Sequence, residues 1–344
     1  MNHEIYMQRC IQLAQRGLGY AAPNPQVGSV VVYNNKIIGE GYHQRYGEGH
    51  AEVNAIASVE DKSLLEKSTI YVTLEPCFHY GKTPPCVELI LKHRIPHVVI
   101  ASTDPYEKVA GQSIQKLRAA GVKVEEGILK EEAVWLNRRF FTTIQKKRPY
   151  IILKYAQSID GFIGQEGKTL PISNALCKRL VHQWRSQEAS IMVGTNTAAT
   201  DNPQLDVRHY FGKNPLRLVI DRDLRLPNDL KLFDQTIPTW VFTAQESSTQ
   251  NTENLQYIQV PFGDQLLPSI LEHLQQQKIQ SLFVEGGKQL LQSFIDQGLW
   301  DEARVLIGNK HLNKGVEAPK LKNHHLLKEE KVADDRYRLY TNNA

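Results

Sequence analysis

The sequence lacks any long apolar run, because no stretch approaches the roughly 18 consecutive apolar residues that a membrane-spanning helix needs. Its first six residues, Met1 to Tyr6, include an acidic residue and no apolar core of the kind that export signals carry. We therefore expect a cytoplasmic protein with no membrane partner.

The sequence also lacks a large excess of either positive or negative charge. The formal net charge is +4 at pH 7, and no block of Lys and Arg resembles the basic tails or grooves of nucleic-acid-binding proteins. This balance argues against a nucleic-acid partner and leaves room for a small anionic substrate. Net charge does not indicate whether the chain self-associates, so a homo-oligomer is a possible assembly.

Cysteine is rare, with four residues at positions 10, 77, 86 and 177. In a long intracellular chain, so few scattered cysteines indicate metal binding or catalysis rather than a disulfide framework. Cys10 and Cys177 lie in helix-like patterns, and we expect both to be buried apolar fillers. Cys77 and Cys86 are therefore the candidates for metal binding or catalysis.

The length of 344 residues exceeds the size at which a single core usually stops growing, which predicts two domains. The run Lys146-Lys147-Arg148-Pro149 is the predicted boundary, giving domains at 1–146 and 147–344. Predicted strands and helices alternate in both, which indicates an α/β fold class. We find no internal repeat.

In the first domain the sequence predicts an opening helix over residues 4–18 and a β-hairpin that turns at Asn34-Asn35. A further helix is predicted from Lys130 to about Gln145. In the second domain a strand begins at Tyr150, and the last predicted strand ends at Leu339-Tyr340.

The chemistry of the first domain centres on His50, Glu52, Cys77 and Cys86. One imidazole and two thiolates are a ligand set that Zn²⁺ favours, and three protein ligands leave a fourth position for a water. Glu52, two residues after the first ligand, is the predicted proton shuttle. His-x-Glu followed by Pro-Cys and a second Cys is the pattern of zinc-dependent nucleobase deaminases. A structural metal, or thiols buried in a core, is the alternative interpretation.

The second domain has no Gly-x-Gly-x-x-Gly fingerprint after a strand, so the dinucleotide-binding Rossmann interpretation lacks its main evidence. Instead, Glu285-Gly286-Gly287 ends a predicted strand and opens a helix. The free N–H groups of a helix start suit a phosphate or pyrophosphate. A tight turn without a ligand is an equally acceptable interpretation of the two glycines.

Taken together, the motifs resemble the bifunctional riboflavin-biosynthesis deaminase-reductases over essentially the whole chain. Eight residues separate Cys77 from Cys86, where general deaminases have two. The motifs that carry the resemblance are Pro23-Asn24-Pro25-x-Val27-Gly28, the insert Phe78 to Pro85, Lys154, Asp160-Gly161, Gly194-Thr195, Thr197, Asp201-x-Pro203-x-Leu205-x-Val207-Arg208 and Glu285-Gly286-Gly287.

The resemblance implies a cytidine-deaminase-like α/β/α domain followed by a dihydrofolate-reductase-like α/β domain. It implies a hydrolase that deaminates 2,5-diamino-6-ribosylamino-4(3H)-pyrimidinone 5′-phosphate at a zinc site. It further implies an NADPH-dependent oxidoreductase that converts the ribosylamino group to ribitylamino. The cofactors expected are therefore Zn²⁺ and NADPH.

The resemblance also assigns residues to each pocket. Lys154 and Glu285 are the candidate acid–base groups of the reductase, and Arg185 and Arg208 suit the substrate phosphate because guanidinium grips phosphate oxygens in pairs. The substrate contacts implied are Asn24, Lys82 and Asp104 in the first domain and Thr169, Arg185, Leu205, Arg208 and Glu285 in the second. The NADPH contacts implied are Ala156, Thr197, Asp201, Gly287, Lys288, Gln289, Leu290, Leu291, Gln292 and Ser293.

Two other classes of protein compete with this interpretation. A nucleic-acid deaminase would need a basic groove bearing aromatic residues, and the first domain has only scattered charges. A zinc-stabilised binding protein would leave Glu52 and the open coordination position without a purpose.

Overall fold

The computed structural model describes residues 2–78, 84–106, 110–165, 170–246 and 251–343. The chain divides into two compact units, Met1–Lys147 and Arg148–Ala344. No helix in the described ranges is both long and apolar enough to cross a membrane.

The first unit is a five-stranded sheet in the order β2-β1-β3-β4-β5, with helices against its faces. Strands β1 and β2 form an antiparallel hairpin, β1 also runs antiparallel to β3, and β3, β4 and β5 are parallel. Its elements are α1 (His3–Gln15), β1 (Gly28–Tyr33), β2 (Lys36–Tyr42), α2 (Ala51–Ser58), β3 (Thr69–Leu74), α3 (Cys86–Lys92), β4 (His97–Ser102), α4 (Gln112–Ala119), β5 (Lys123–Glu126), α5 (Lys130–Leu136) and α6 (Arg138–Gln145).

The predicted hairpin is confirmed, with Tyr33 paired to Lys36 across a two-residue turn. Asn34 and Asn35 both adopt positive φ, 47° and 60°. A type I′ turn requires this conformation at both central residues, and asparagine tolerates it better than most side chains.

The single helix predicted from Lys130 to about Gln145 is wrong, because Asn137 interrupts it and separates α5 from α6. The Asn137 side chain is buried and pairs with the backbone of Gln26, accepting from its N–H and donating to its carbonyl, both at 2.8 Å. This long-range pair satisfies the backbone of the turn after Pro25. Helical periodicity alone could not reveal it.

The second unit is built on a nine-stranded sheet in the order β11-β10-β9-β8-β12-β6-β13-β16-β15. The strands from β11 to β13 are parallel, and β16 and β15 add an antiparallel hairpin at one edge. Its elements are β6 (Tyr150–Ser158), β7 (Phe162–Gly164), α7 (Ala175–Gln187), β8 (Ser190–Val193), α8 (Thr195–Asp201), β9 (Leu216–Ile220), β10 (Thr239–Thr243), β11 (Leu255–Gln259), α9 (Leu266–Gln276), β12 (Ser281–Val284), α10 (Lys288–Asp296), β13 (Glu302–Gly308), β14 (Val316–Glu317), β15 (His324–Val332) and β16 (Asp335–Asn342).

Alternate residues of β6 supply separate apolar cores on the two faces of this sheet. Leu153 packs in one core with Phe294 of α10, and Ile152 packs in the other with Trp184 of α7. Because β6 lies between β12 and β13, Lys154 belongs to an interior strand of the sheet. Cys10 and Cys177 are fully buried, which confirms the expectation for both.

The sequence did not predict β15, and it predicted a last strand that ends at Leu339-Tyr340, where β16 continues to Asn342. Every residue of β15 except Val332 is exposed. A strand with two exposed faces has no alternation of apolar and polar residues, which is the signal on which strand prediction depends.

Candidate functional site

The first candidate site lies where β3 ends and α2 and α3 begin. His50 is the residue that caps α2, and Cys86 is the first residue of α3. Cys77 follows β3 by three residues. The ends of three elements therefore bring the predicted ligands together, with their donor atoms all within 4.8 Å of one another.

The spacing of these donor atoms fits a tetrahedral zinc ion. His50 Nδ1 lies 3.4 Å from the Sγ atoms of both Cys77 and Cys86. Typical Zn–S and Zn–N bonds of about 2.3 and 2.0 Å at a tetrahedral angle place such atoms roughly 3.5 Å apart. The Cys86 N–H donates to Cys77 Sγ at 3.1 Å. The hydrogen bond from the Cys86 thiol outweighs burial and, with smaller contributions from His50 and the Cys86 N–H, lowers the pKa of the Cys77 thiol toward the thiolate that a metal needs.

Glu52 lies in the first turn of α2 with only 3% of its surface exposed. Burial, and then the nearby Cys77, raise the pKa of its carboxyl group to about 7. A carboxyl group with a pKa near neutrality can both accept and return a proton, as a general acid–base must.

His43 holds the predicted substrate contact Asn24. Asn24 Nδ2 lies 3.1 Å from His43 Nε2, and His43 Nδ1 lies 3.1 Å from the Gly49 carbonyl oxygen. Because an amide nitrogen only donates, Nε2 is the acceptor and Nδ1 carries the proton that it donates to Gly49. Burial lowers the pKa of His43, which favours this neutral form. The side-chain oxygen of Asn24 is an acceptor that suits a ring N–H. The sequence gives no signal of the contact between Asn24 and His43.

Of the two other residues predicted for this pocket, the structure describes Asp104 and does not describe Lys82. Asp104 is half-buried in the turn after β4, where its Oδ1 accepts from Tyr106 N at 2.8 Å. Lys82 lies outside the described residues, and its role stays a prediction.

The second candidate site begins where the adjacent strands β8 and β12 each turn into a helix. Gly194 caps α8 and Gly287 caps α10, and Gly194 N donates to Gly286 O at 3.3 Å. Gly286 has a φ of 151°, and a Cβ atom on Gly287 would lie only 2.9 Å from Thr197 Oγ1. A side chain at Gly287 would therefore crowd Thr197, and the two helix starts form a glycine-lined cradle that fits the pyrophosphate of a dinucleotide.

The predicted NADPH contacts differ in position: some lie near the cradle or on β6, some are buried in the apolar core, and the rest bond to other protein groups or are exposed. Thr197 lies at the cradle, Asp201 is the last residue of α8, and Ala156 lies on β6. Leu290 and Leu291 are buried in the apolar core. In the remainder of the predicted run, Lys288 Nζ lies 3.6 Å from Glu317, Gln292 bonds Asp296 and Lys320, Ser293 bonds the Gln289 carbonyl, and Gln289 is exposed.

The predicted reductase groups Lys154, Arg185 and Glu285 do meet. Arg185 Nε and Nη2 donate to the two carboxylate oxygens of Glu285 at 2.6 and 2.9 Å, and Lys154 Nζ lies 3.5 Å from Glu285 Oε2. Burial by itself would raise the pKa of Glu285, but the positive charges of Arg185 and Lys154 outweigh it and lower the pKa to about 2. Glu285 is therefore a carboxylate at neutral pH.

The substrate-phosphate candidates are arranged unequally. Arg185 Nη1 donates to the Asp206 backbone carbonyl at 3.0 Å, so its guanidinium is engaged by protein groups. Arg208 pairs with the Asp206 side chain and is 41% exposed, which leaves it accessible to a phosphate. Leu205 is buried with a φ of 51°. Thr169 lies outside the described residues and stays a prediction.

His182, which the sequence analysis did not single out, lies one helical turn before Arg185. Its ring is buried and meets His209 edge-on at 4.7 Å between centroids. Burial, and then the charges of Arg185 and Arg208, lower its pKa to about 4, so it is neutral. Only the three-residue spacing from Arg185 could have indicated it.

Comparison with protein families matches both halves of the chain. A family described as the cytidine and deoxycytidylate deaminase zinc-binding region matches residues 1–102. A family described as the RibD C-terminal domain matches residues 149–325. The predicted order of a deaminase-like and then a reductase α/β unit is thereby confirmed.

Similar proteins span nearly the full length. The chain is 41% identical over 322 residues to the riboflavin biosynthesis protein RibD of Actinobacillus pleuropneumoniae, covering 89% of this chain and 83% of that one. It is 38% identical over 315 residues to the protein of the same name from Aquifex aeolicus, covering 90% and 88%.

Solved structures that resemble this protein cover nearly all of its chain. A diaminohydroxyphosphoribosylaminopyrimidine deaminase/5-amino-6-(5-phosphoribosylamino)uracil reductase from Thermotoga maritima superposes with a TM-score of 0.90 at 35% identity, covering 99% of this chain and 98% of that one. Acinetobacter baumannii RibD superposes with a TM-score of 0.88 at 31% identity, covering 98% of each.

Proposed function

The chain belongs to the RibD family of riboflavin-biosynthesis enzymes, and from that premise we propose which residues carry each of its two reactions. It is a zinc-dependent deaminase and an NADPH-dependent reductase. We assign deamination to residues 1–146 and reduction to residues 147–344. The observation that carries the assignment is the His50–Cys77–Cys86 cluster with buried Glu52 beside it.

The substrate of the first reaction is 2,5-diamino-6-ribosylamino-4(3H)-pyrimidinone 5′-phosphate, in which a ring C–NH₂ becomes C=O as water enters and ammonia leaves. A zinc ion held by His50, Cys77 and Cys86 would supply a water of lowered pKa as the nucleophile. Glu52 takes the proton from that water and delivers it to the departing nitrogen. Asn24, oriented by neutral His43, accepts a hydrogen bond from the pyrimidine.

The second reaction reduces the ribosylamino group to ribitylamino and gives 5-amino-6-(5-phospho-ribitylamino)uracil. NADPH, when bound, would supply the hydride for C1′ of the opened sugar. Opening breaks the C1′–O4′ bond and forms a protonated C1′=N group that keeps its N–H, so O4′ needs a proton and hydride addition at C1′ then gives the neutral amine. Lys154 donates it, because Glu285 is held as a carboxylate and orients the ammonium group without competing as an acid.

The remaining assignments follow the charge and position of each residue. Arg208 is accessible to bind the substrate phosphate, and the glycines at the starts of α8 and α10 receive the NADPH pyrophosphate. A small phosphorylated pyrimidine, rather than a nucleic acid, suits the scattered charge of the chain. We place the enzyme in the cytoplasm, in keeping with cysteines that are unpaired within the described residues.

The test measures both reactions in one preparation. Zinc-loaded enzyme should release ammonia from the diaminopyrimidine phosphate, and a chelator should stop this release while NADPH oxidation with the deaminated intermediate continues. Zinc bound without ammonia release would contradict the deaminase assignment.

A further inference from the structure

Glu75 lies at the carboxyl end of β3, two residues before the predicted zinc ligand Cys77, and only 6% of its surface is exposed. Its backbone N–H extends the pairing of β3 with β4 by donating to Ser102 O at 2.8 Å. The peptide that leads to Cys77 is thereby anchored to the sheet. Neither the zinc site nor the proton relay described above uses its carboxylate.

Within the described residues, that carboxylate accepts four hydrogen bonds from the segment that follows β4. Oε2 accepts from Asp104 N at 3.2 Å and from Gly111 N at 2.9 Å. Oε1 accepts from Ser113 N at 3.2 Å and from Ser113 Oγ at 2.7 Å. Each oxygen therefore has its own pair of donors, and one of the two oxygens reaches the turn that bears Asp104.

A buried carboxylate is costly unless its lone pairs are satisfied, so this arrangement needs an explanation. A cap for α4 alone requires only a local Ser, Thr, Asn or Asp next to the helix. Here the acceptor comes from a different strand, 29 residues before Asp104 and 38 before Ser113. It joins the strand that ends near Cys77 to the turn that carries a predicted substrate contact.

We propose that Glu75 is a positioning residue for deamination, holding the Asp104 turn at a set distance from the zinc ligands so that the pyrimidine phosphate is aligned over the metal. This inference rests on the proposed deaminase function. Glu75 touches neither substrate nor metal in this proposal. Its effect reaches the substrate through the backbone of Asp104.

Glu75→Gln tests the proposal because an amide replaces one acceptor oxygen with a donor group. In either orientation of the amide, its NH₂ faces protein donors that previously had an acceptor. Ser113→Ala is the matched control, since it removes a hydrogen bond at Oε1 and leaves the Oε2 bond to Asp104 in place. Both variants weaken the start of α4, but only Glu75→Gln affects the bond to Asp104 N, which becomes a neutral hydrogen bond in one orientation of the amide and is lost in the other.

The measurements are KM and kcat for ammonia release, bound zinc per chain and NADPH oxidation. Glu75→Gln should raise KM by about tenfold or more, as expected for a lost hydrogen bond to a charged group, with a smaller change in kcat and with zinc content and reduction unchanged. Ser113→Ala should leave KM within about twofold of the unmodified enzyme. Glu75→Asp, which keeps the charge on a shorter side chain, should lie between the two and serves if Glu75→Gln does not fold.

Equal KM values for the unmodified enzyme and both Glu75 variants would overturn the positioning role. An equal rise in KM in Glu75→Gln and Ser113→Ala would overturn it as well, since the effect would then belong to α4 alone. Absence of ammonia release from the unmodified zinc-loaded enzyme would instead contradict the proposed function on which the inference rests.

Discussion

Arg185 and Glu285, 100 residues apart, form a two-pronged ion pair in which Nε donates to Oε1 at 2.6 Å and Nη2 donates to Oε2 at 2.9 Å. Both side chains are nearly buried, with 11% and 7% exposed. The pair sets the charge of the reductase site, because it keeps Glu285 ionised beside Lys154. We therefore expect a change at Arg185 to affect reduction through Glu285.

Arg185→Lys should reduce the kcat/KM of NADPH oxidation by about 10-fold to 100-fold, because an ammonium group cannot make both bonds of the fork. Deamination should be unchanged. Arg179→Lys, at an exposed position of α7, is the control and should match the unmodified enzyme. Normal reduction in the Arg185 variant would show that the fork is dispensable.

Lys154→Met should reduce NADPH oxidation by roughly 10²-fold to 10⁴-fold, the usual contribution of a general acid, while ammonia release continues. Methionine preserves the unbranched shape of the side chain within the sheet and removes its proton donor. Lys178→Met replaces an exposed lysine of α7 and should have no effect. Unchanged turnover would remove Lys154 from the mechanism.

Glu52→Gln should lower ammonia release by roughly 10²-fold to 10⁴-fold with zinc content and NADPH oxidation intact, since glutamine cannot relay a proton. Metal analysis and the two activity assays check this. Glu60→Gln, an exposed change shortly after α2, is the control. Loss of zinc from the Glu52 variant would mean that this residue supports the metal site instead.

Lys62→Met should destabilise the first unit by about 1 kcal/mol, because Lys62 Nζ donates to the carbonyls of Ile56 and Ala57 at 2.8 Å and of Val59 at 2.5 Å, at the end of α2. Deaminase activity lost on heating provides the measurement. Lys67→Met, also exposed, is the comparison. Identical inactivation curves for the two variants would contradict a capping role.

Acid should weaken the second unit through His182. Its pKa is about 4 in the folded protein against an ordinary 6.5, so between these values the unfolded chain binds more protons and stability falls as pH falls. The charged and titratable neighbours that act on it are Arg185, Asp206, Arg208 and His209.

His182→Phe keeps an aromatic ring and removes this titration, so its stability should depend less on pH between 4 and 6.5. Urea unfolding followed by tryptophan fluorescence suits the measurement, because three of the four tryptophans lie in the second unit. His311→Gln, at a side chain that is 70% exposed, should retain the original dependence. Parallel pH curves for the unmodified chain and His182→Phe would exclude His182 as the source.

The sequence by itself determined the chemistry of the first site and the fold class. Donor types and chain order identify His50, Cys77 and Cys86, because a zinc ligand set depends on side-chain chemistry and on the element ends that local patterns predict. The hairpin at Asn34-Asn35 was predictable for the same reason, since its conformation depends on two adjacent residues.

The tertiary structure alone decided which groups meet across long stretches of chain. The Asn137 bond to Gln26 divides a helix that periodicity predicts as continuous, and Arg185 engages Glu285 where sequence reasoning assigned it to a phosphate. Glu75 reaches the Asp104 turn in the same way. These pairings depend on strand order and register, which bring distant residues to one edge of a sheet, and no local pattern in the sequence encodes that proximity.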